Sequence, residues 1–287
     1  MENLNILNRK KRGFIPFVTA AIMVISLFAA MPAMAQPYVI TGSAPASFGC
    51  TQAGVANTDI ESVLNAIRTD ANGAECIIQF GSGGSTLNLG SDVMLFSSGL
   101  TPAWGTVHLI GRVTSSNADY TIRTIIVSLA ASGAEIENTG TGDAIRNEDT
   151  GTLNIEGGLV KAASGRAILN SSTGIVYISG GTVTSANTSE GTIYLANTGD
   201  TGTQLVITDG TISNSASGGN MIYTVAPTVL FSIASGNSYE FYGAIAGAGN
   251  VEKADSGDLV MKNNSNDATG TFLLLGGTTT LEGNWGG

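Results

Sequence analysis

From residue 76 onward, apolar residues alternate with polar ones over short runs, and each run closes on Gly, Asn, Ser or Thr. A period of two bounded by turn residues predicts short strands with one buried face. The runs also recur. Ala144-Ile145-Arg146-Asn147 returns as Ala167-Ile168-Leu169-Asn170 after 23 residues, then more loosely as Thr192-Ile193-Tyr194 and Met221-Ile222-Tyr223 after 25 and 29. Leu153-Asn154-Ile155 matches Val176-Tyr177-Ile178 and Leu205-Val206-Ile207, and Gly157-Gly158-Leu159-Val160 matches Gly180-Gly181-Thr182-Val183 and Asp209-Gly210-Thr211-Ile212. Three strands per unit, always in the same order, constitute an internal repeat.

A unit of this size cannot bury its own inward side chains, so consecutive units must stack and share a core. Ile145, Ile168, Ile193 and Ile222 then form one inward column, Val160, Val183 and Ile212 a second, and Ile155, Ile178 and Ile207 a third. Coils rise about 4.8 Å each, so residues 76–287 make about nine coils and a rod on the order of 40 Å long. The fold class expected is all-β, a parallel β-helix. Asn147, Asn170 and Asn197 fall at one corner before Thr-Gly pairs, where Asn suits the turn and can bond from coil to coil.

One helix is expected ahead of the coils. Thr58-Asp59-Ile60-Glu61 has the form of a capping box, and Ile60, Val63, Leu64 and Ile67 line one helical face. Gly73 is the expected stop, giving a helix over 58–70. Its apolar stripe suits the open end of a stack of sheets. The domain reading is therefore a cap over 36–75, with 36–57 turn-rich, and a β-helix over 76–287.

The first 35 residues read differently. Arg9-Lys10-Lys11-Arg12 precedes an apolar stretch from Phe14 to about Met31, and Ala33-Met34-Ala35 follows. A basic start, an apolar middle and a small-x-small site predict a secretory signal over 1–35. An uncleaved anchor is the alternative, since the stretch nearly reaches spanning length, although Pro16 and Pro32 shorten it. The mature chain has no second such stretch and should not span a membrane. Export leads to an oxidising compartment, where Cys50 and Cys76 can pair.

Composition narrows the partners. Loss of the signal leaves 8 basic and 21 acidic residues, a net charge of −13, which argues against nucleic acid or anionic lipid as partner. One histidine and two cysteines give poor material for a zinc site, and no metal or cofactor is expected.

Two stretches carry resemblances. Cys50, the helix Ile60–Ile67 and Gly73-Ala74-Glu75-Cys76-Ile77-Ile78-Gln79-Phe80-Gly81 resemble the capped opening of secreted right-handed β-helix proteins of the pectate-lyase-like superfamily. Phe241-Tyr242-Gly243-Ala244-Ile245-Ala246-Gly247-Ala248-Gly249 leads to Val251, Lys253, Gly257, Leu259, Met261, Asn266, Gly270 and Gly276-Gly277-Thr278. This stretch, at about 241–283, is similar to the autotransporter-associated β-strand repeat of bacterial passenger domains. The resemblance implies a right-handed β-helix on a secreted or cell-surface bacterial protein that displays binding surface, as an adhesin does. Autotransporters end in an outer-membrane barrel, and none follows Trp285-Gly286-Gly287. Either the sequence belongs to a longer protein or another route exports and anchors it.

The sequence offers little for catalysis. Glycosidases need paired carboxylates, and the outward columns that align from coil to coil bring no such pair together. The Asp cluster and basic catalyst of the resembled lyases have no counterpart, and Asp143, Arg146 and Glu148 read as a solvated corner. His108 alternates against Val107 and Leu109 and is expected to be an exposed or hydrogen-bonded strand residue with no suggested carboxylate or nucleophile beside it. Tyr239, Phe241 and Tyr242 read as core packing. For binding, Leu169, Tyr194 and Tyr223 should point outward in one column, a ladder suited to a glycan or a host or cell-surface protein. Three functions follow in order: a non-catalytic adhesin or display module, a polysaccharide-active β-helix enzyme, and a passive stalk for an absent C-terminal module.

Overall fold

A computed structural model describes residues 36–124, 127–129, 134–148, 150–262 and 267–282, with backbone alone for 127–129. The expected signal at 1–35, Asn266 of the repeat-like stretch and the last five residues lie outside the described residues. Among the described residues, no helix is long and apolar enough to cross a membrane.

The chain is a parallel β-solenoid. Its largest sheet has 13 strands and a second has eight. The second contains one strand per coil, among them Tyr120–Thr124, Asp143–Asn147, Ile168–Asn170, Ile193–Leu195, Ile222–Thr224 and Ile245–Gly247, all parallel. A third sheet forms late, from Ser238–Phe241, Asp258–Lys262 and Thr278–Glu282. Eight strands in the second sheet make eight coils where about nine were expected. From residue 76 onward, the step from Cys76 to its partner Val107 is longer than any later one.

The repeat alignment is the strand register. Ile145, Ile168, Ile193 and Ile222 pair in succession and are fully buried. So do Ile155, Ile178 and Ile207, and Val160, Val183 and Ile212 make the third column. One corner between faces is made by glycines. Gly111, Gly158, Gly181 and Gly210 all have positive φ, and each precedes a residue that starts the next face. A β-carbon at Gly158 would lie 1.9 Å from the Ala134 carbonyl oxygen. Coil-to-coil hydrogen bonding brings the backbones that close, so this corner excludes any side chain.

Asparagines also stack, at a second corner. Asn147 Nδ2 donates to Asn170 Oδ1 at 3.1 Å, and Asn170 Nδ2 donates to the Gly174 carbonyl and, at 3.4 Å, to Gln204 Oε1. Both asparagines are fully buried. Asn197 does not join them: Leu195 pairs with Asn170, Asn197 Oδ1 accepts from the Gly199 amide, and Gln204 supplies the third rung.

The N-terminal cap departs from expectation in two ways. Strand Tyr38–Ile40 pairs with Ile78–Phe80, so the large sheet begins inside the segment read as turn-rich. Three residues carry too little periodicity to register. Helix α1 runs from Ile60 to Ala71. Its N-cap is Asp59, whose carboxylate accepts from the Ser62 amide at 2.8 Å and the Ser62 hydroxyl at 2.8 Å, rather than Thr58 with Glu61. Asn72, in the left-handed conformation, closes it one residue before Gly73. Ile60, Val63, Leu64 and Ile67 are buried, against the antiparallel pair Phe48–Cys50 and Val55–Thr58 and against Met94–Leu95 at the edge of the second sheet. The helix thus covers an open sheet edge, a feature that would otherwise template pairing.

Candidate binding face

On the second sheet the outward position of each strand is in register with the next: Arg123, Arg146, Leu169, Tyr194, Tyr223, Ala246. The structure therefore brings Leu169, Tyr194 and Tyr223 together in one column. Leu169 is more covered than a ladder residue need be, at 8% exposed, while both tyrosines are half-buried. The tyrosine rings stand 5.6 Å apart at 78°, an edge-to-face pair that contributes about 0.5–1.5 kcal/mol beyond its area.

An ion ladder frames this pair. Asp143, 1% exposed, accepts from Arg166 Nε at 2.7 Å, Arg166 Nη2 at 2.9 Å and the Arg166 amide at 3.0 Å. Arg146 Nη2 also reaches it, at 3.2 Å. Arg166 Nη1 donates to Glu190 at 2.7 Å, and Arg123 and Arg146 pair with Glu148. Arg146 lies 5.0 Å from the Tyr120 ring centre and Arg166 5.5 Å from that of Tyr194. Burial disfavours the Arg166 charge, but hydrogen bonds and attraction from Asp143 and Glu190 outweigh it and raise its pKa. Burial, then the nearby Glu190 charge, raises the Tyr194 hydroxyl. The corner at Asp143 is consequently not the solvated one expected. A buried carboxylate needs partners this close, and the alignment carried the signal: Asp143-Ala144 and Arg166-Ala167 occupy equivalent places one coil apart.

A second outward column was not recognised. Asn154, Tyr177, Val206 and Leu230 are in register on the large sheet, and each of the first three is the middle residue of the recurring apolar-x-apolar triplet. His108 on the same sheet is 7% exposed and its Nε2 contacts Glu75 Oε1 at 2.5 Å. The carboxylate that the sequence did not suggest comes from the residue before strand Cys76–Phe80. Tyr239 and Phe241 pack on Phe231 in the core. Tyr242 does not: it is 60% exposed, beside Glu240 and Lys262.

Cys50 and Cys76 are two separate buried thiols, so the pairing considered from sequence is not made. Cys50 Sγ turns to Gln52 Oε1 at 3.4 Å. Burial raises both pKa values, that of Cys76 to about 11. Among the described residues, no three His, Cys, Asp or Glu side chains converge as a metal site would require.

No protein-family model matches the chain, and no curated protein and no solved structure shows significant similarity to it.

Proposed function

We propose that the chain is an exported bacterial β-helix protein of passenger type, acting at the cell surface or in secreted form by adhesion or display and without catalysis. The tyrosine pair Tyr194–Tyr223, held at the surface of a rigid sheet by the Asp143–Arg166–Glu190 ladder, carries this reading. Aromatic rings with polar tips, fixed by neighbours, give contact area at little entropic cost. The basic-apolar-small pattern of 1–35 supports export, and the repeat-like stretch at 241–283 supports the passenger comparison. The ligand is a glycan or a cell-surface protein.

Glycan-array binding by the purified protein, beside the Tyr194→Ala/Tyr223→Ala double variant, tests the reading. Saturable binding that falls in the variant, with unchanged circular dichroism, is the expected result. Retained binding in the variant would place the contact elsewhere. For export, mass spectrometry of protein recovered outside the cytoplasm should find Gln36 as the first residue.

The alternative, a polysaccharide-active β-helix enzyme, has one specific observation in its favour, the His108–Glu75 contact. Release of reducing ends or unsaturated sugars from a polysaccharide panel, abolished by His108→Ala, would replace adhesion with catalysis.

A further inference from the structure

We infer that Tyr223 forms the floor of a subsite for an uncharged pyranose; the inference rests on the tyrosine face being the contact surface. The two tyrosines are not equivalent. Tyr194 has the Arg166 guanidinium 5.5 Å from its ring centre and the Tyr223 ring centre 5.6 Å away, so two large side chains already pack against its ring. Tyr223 is followed in register by Ala246, where the ladder loses its large side chains.

The Tyr223 ring leans into that gap. Its Cε1 lies 3.2 Å from where a β-carbon on Gly247 would stand. Gly247 has φ +94°, a conformation that itself favours glycine. Small residues at 246 and 247 thus leave room for an aromatic ring tilted over the next strand, nearly perpendicular to Tyr194. Such a ring offers its electron-rich face to the C–H bonds of a sugar, beside a wall of polar tips.

Charge selects the ligand class. Arg123, Arg146 and Arg166 are each engaged by Glu148, Asp143 or Glu190, three cations against three anions. Asp267 follows Ala246 in register. A carboxylated or sulfated sugar at Tyr223 would find no uncommitted cation among these groups and would face Asp267, a like-charge cost. An uncharged sugar avoids it.

Calorimetry on the intact protein would compare neutral oligosaccharides (glucan, mannan and chitin fragments) with uronate and sulfated ones, at low and high salt. At least one neutral class should bind with salt-independent affinity. Tyr223→Ala should weaken it roughly tenfold or more, Tyr223→Phe should keep most of it, and Tyr242→Ala, an exposed aromatic outside the column, should leave it unchanged. Neutral binding indifferent to Tyr223→Ala would overturn the subsite. Binding confined to anionic sugars, lost in Tyr223→Ala and weakened by salt, would overturn the ligand class while leaving the contact face standing. No binding of either class by a folded protein would overturn both the subsite and the glycan form of the adhesive reading.

Discussion

The ammonium of Lys253 donates to the carbonyl of Gly276, one coil further on, at 3.4 Å. It also donates to the carbonyls of Asp255, at 3.0 Å, and Ala254. Lys253 occupies an inward position, in register with Phe231 above and Leu274 below, and is fully buried. A charge is tolerated there because backbone oxygens replace its water. Burial pulls its pKa below the ordinary lysine range, and the Asp255 and Asp258 charges oppose that shift. The lysine and the closing Gly-Gly of the repeat-like stretch are thus one device: Gly277, with φ +68°, would place a β-carbon 3.0 Å from Lys253 Nζ.

Replacing this lysine should be costly although nothing exposed is lost. Lys253→Met keeps most of the buried volume but strips three carbonyls of a charged donor, for an expected loss of about 1–3 kcal/mol. Urea unfolding would show a lower midpoint. A variant as stable as the parent would mean those oxygens are satisfied without it.

Two glycines with the same backbone angle should respond differently to alanine. Gly158 and Gly218 have φ +73° and +75°, but nothing lies within 4 Å of a β-carbon at 218, against 1.9 Å at 158. Gly218→Ala should lose only the conformational cost, about 1 kcal/mol. Gly158→Ala must also push two coils apart and should lose several times that. Equal thermal shifts would show that the corner does not bring the coils as close as this.

The inward column supplies a third comparison. Ile168 is fully buried and Tyr194 half-buried on the outer face. Ile168→Asp places an unpaired carboxylate in the core and should cost several kcal/mol or prevent folding. Tyr194→Asp should leave a folded protein, with a modest loss from the broken ring contacts. Similar losses for both, by chemical denaturation, would refute the register.

How much of this was legible follows from where the information lies. Ile145, Ile168 and Ile193 repeat because each must fill the same shape, so alignment alone yields columns, faces and register. Gly158 and Gly181 repeat because the corner leaves no alternative. Asp143 and Arg166 are different residue types in equivalent places, and Glu190 stands one residue before the third such place, so identity matching passes over a ladder whose rule is alternating charge. Asn147 and Asn170 do repeat by identity, but the third rung of that stack, Gln204, is another residue type from another strand. Tyr38–Ile40 and the Glu75–His108 contact depend on pairings 33 to 40 residues apart, for which a single sequence holds no local sign. The tilt of Tyr223 over Gly247 was equally hidden, since it needs the register and the missing β-carbon together.

The thiols give a direct test of the cap. Both are buried and raised above the ordinary cysteine range by that burial, so little thiolate forms at neutral pH and reagent access is poor. A thiol reagent should label neither cysteine in the native protein and both after denaturation without reductant. Absence of labelling after denaturation, with a mass lower by two hydrogens, would show that Cys50 and Cys76 are joined.

Tyr239 should set an alkaline limit on stability. Its ring is 8% exposed and its hydroxyl donates to the Gly210 carbonyl at 3.0 Å. Burial, aided by the Asp209 charge, pushes its pKa from 10.0 to about 12. The folded-state value lies above the unfolded one, so the unfolded chain releases this proton first. The stabilisation is then fully present below pH 10 and lost as pH rises from 10 to 12, a change of about 3 kcal/mol for a two-unit shift. Urea midpoints measured from pH 8 to 12 should fall across that window, and Tyr239→Phe should flatten the fall while starting from a lower midpoint for want of the hydrogen bond. Both proteins would carry Cys76→Ala, because that thiol, at about 11, titrates in an overlapping range. An alkaline limb of equal slope in both would assign the loss to other groups, Tyr38 first among them, since burial and its hydrogen bond to Asp70 hold it at about 12 as well.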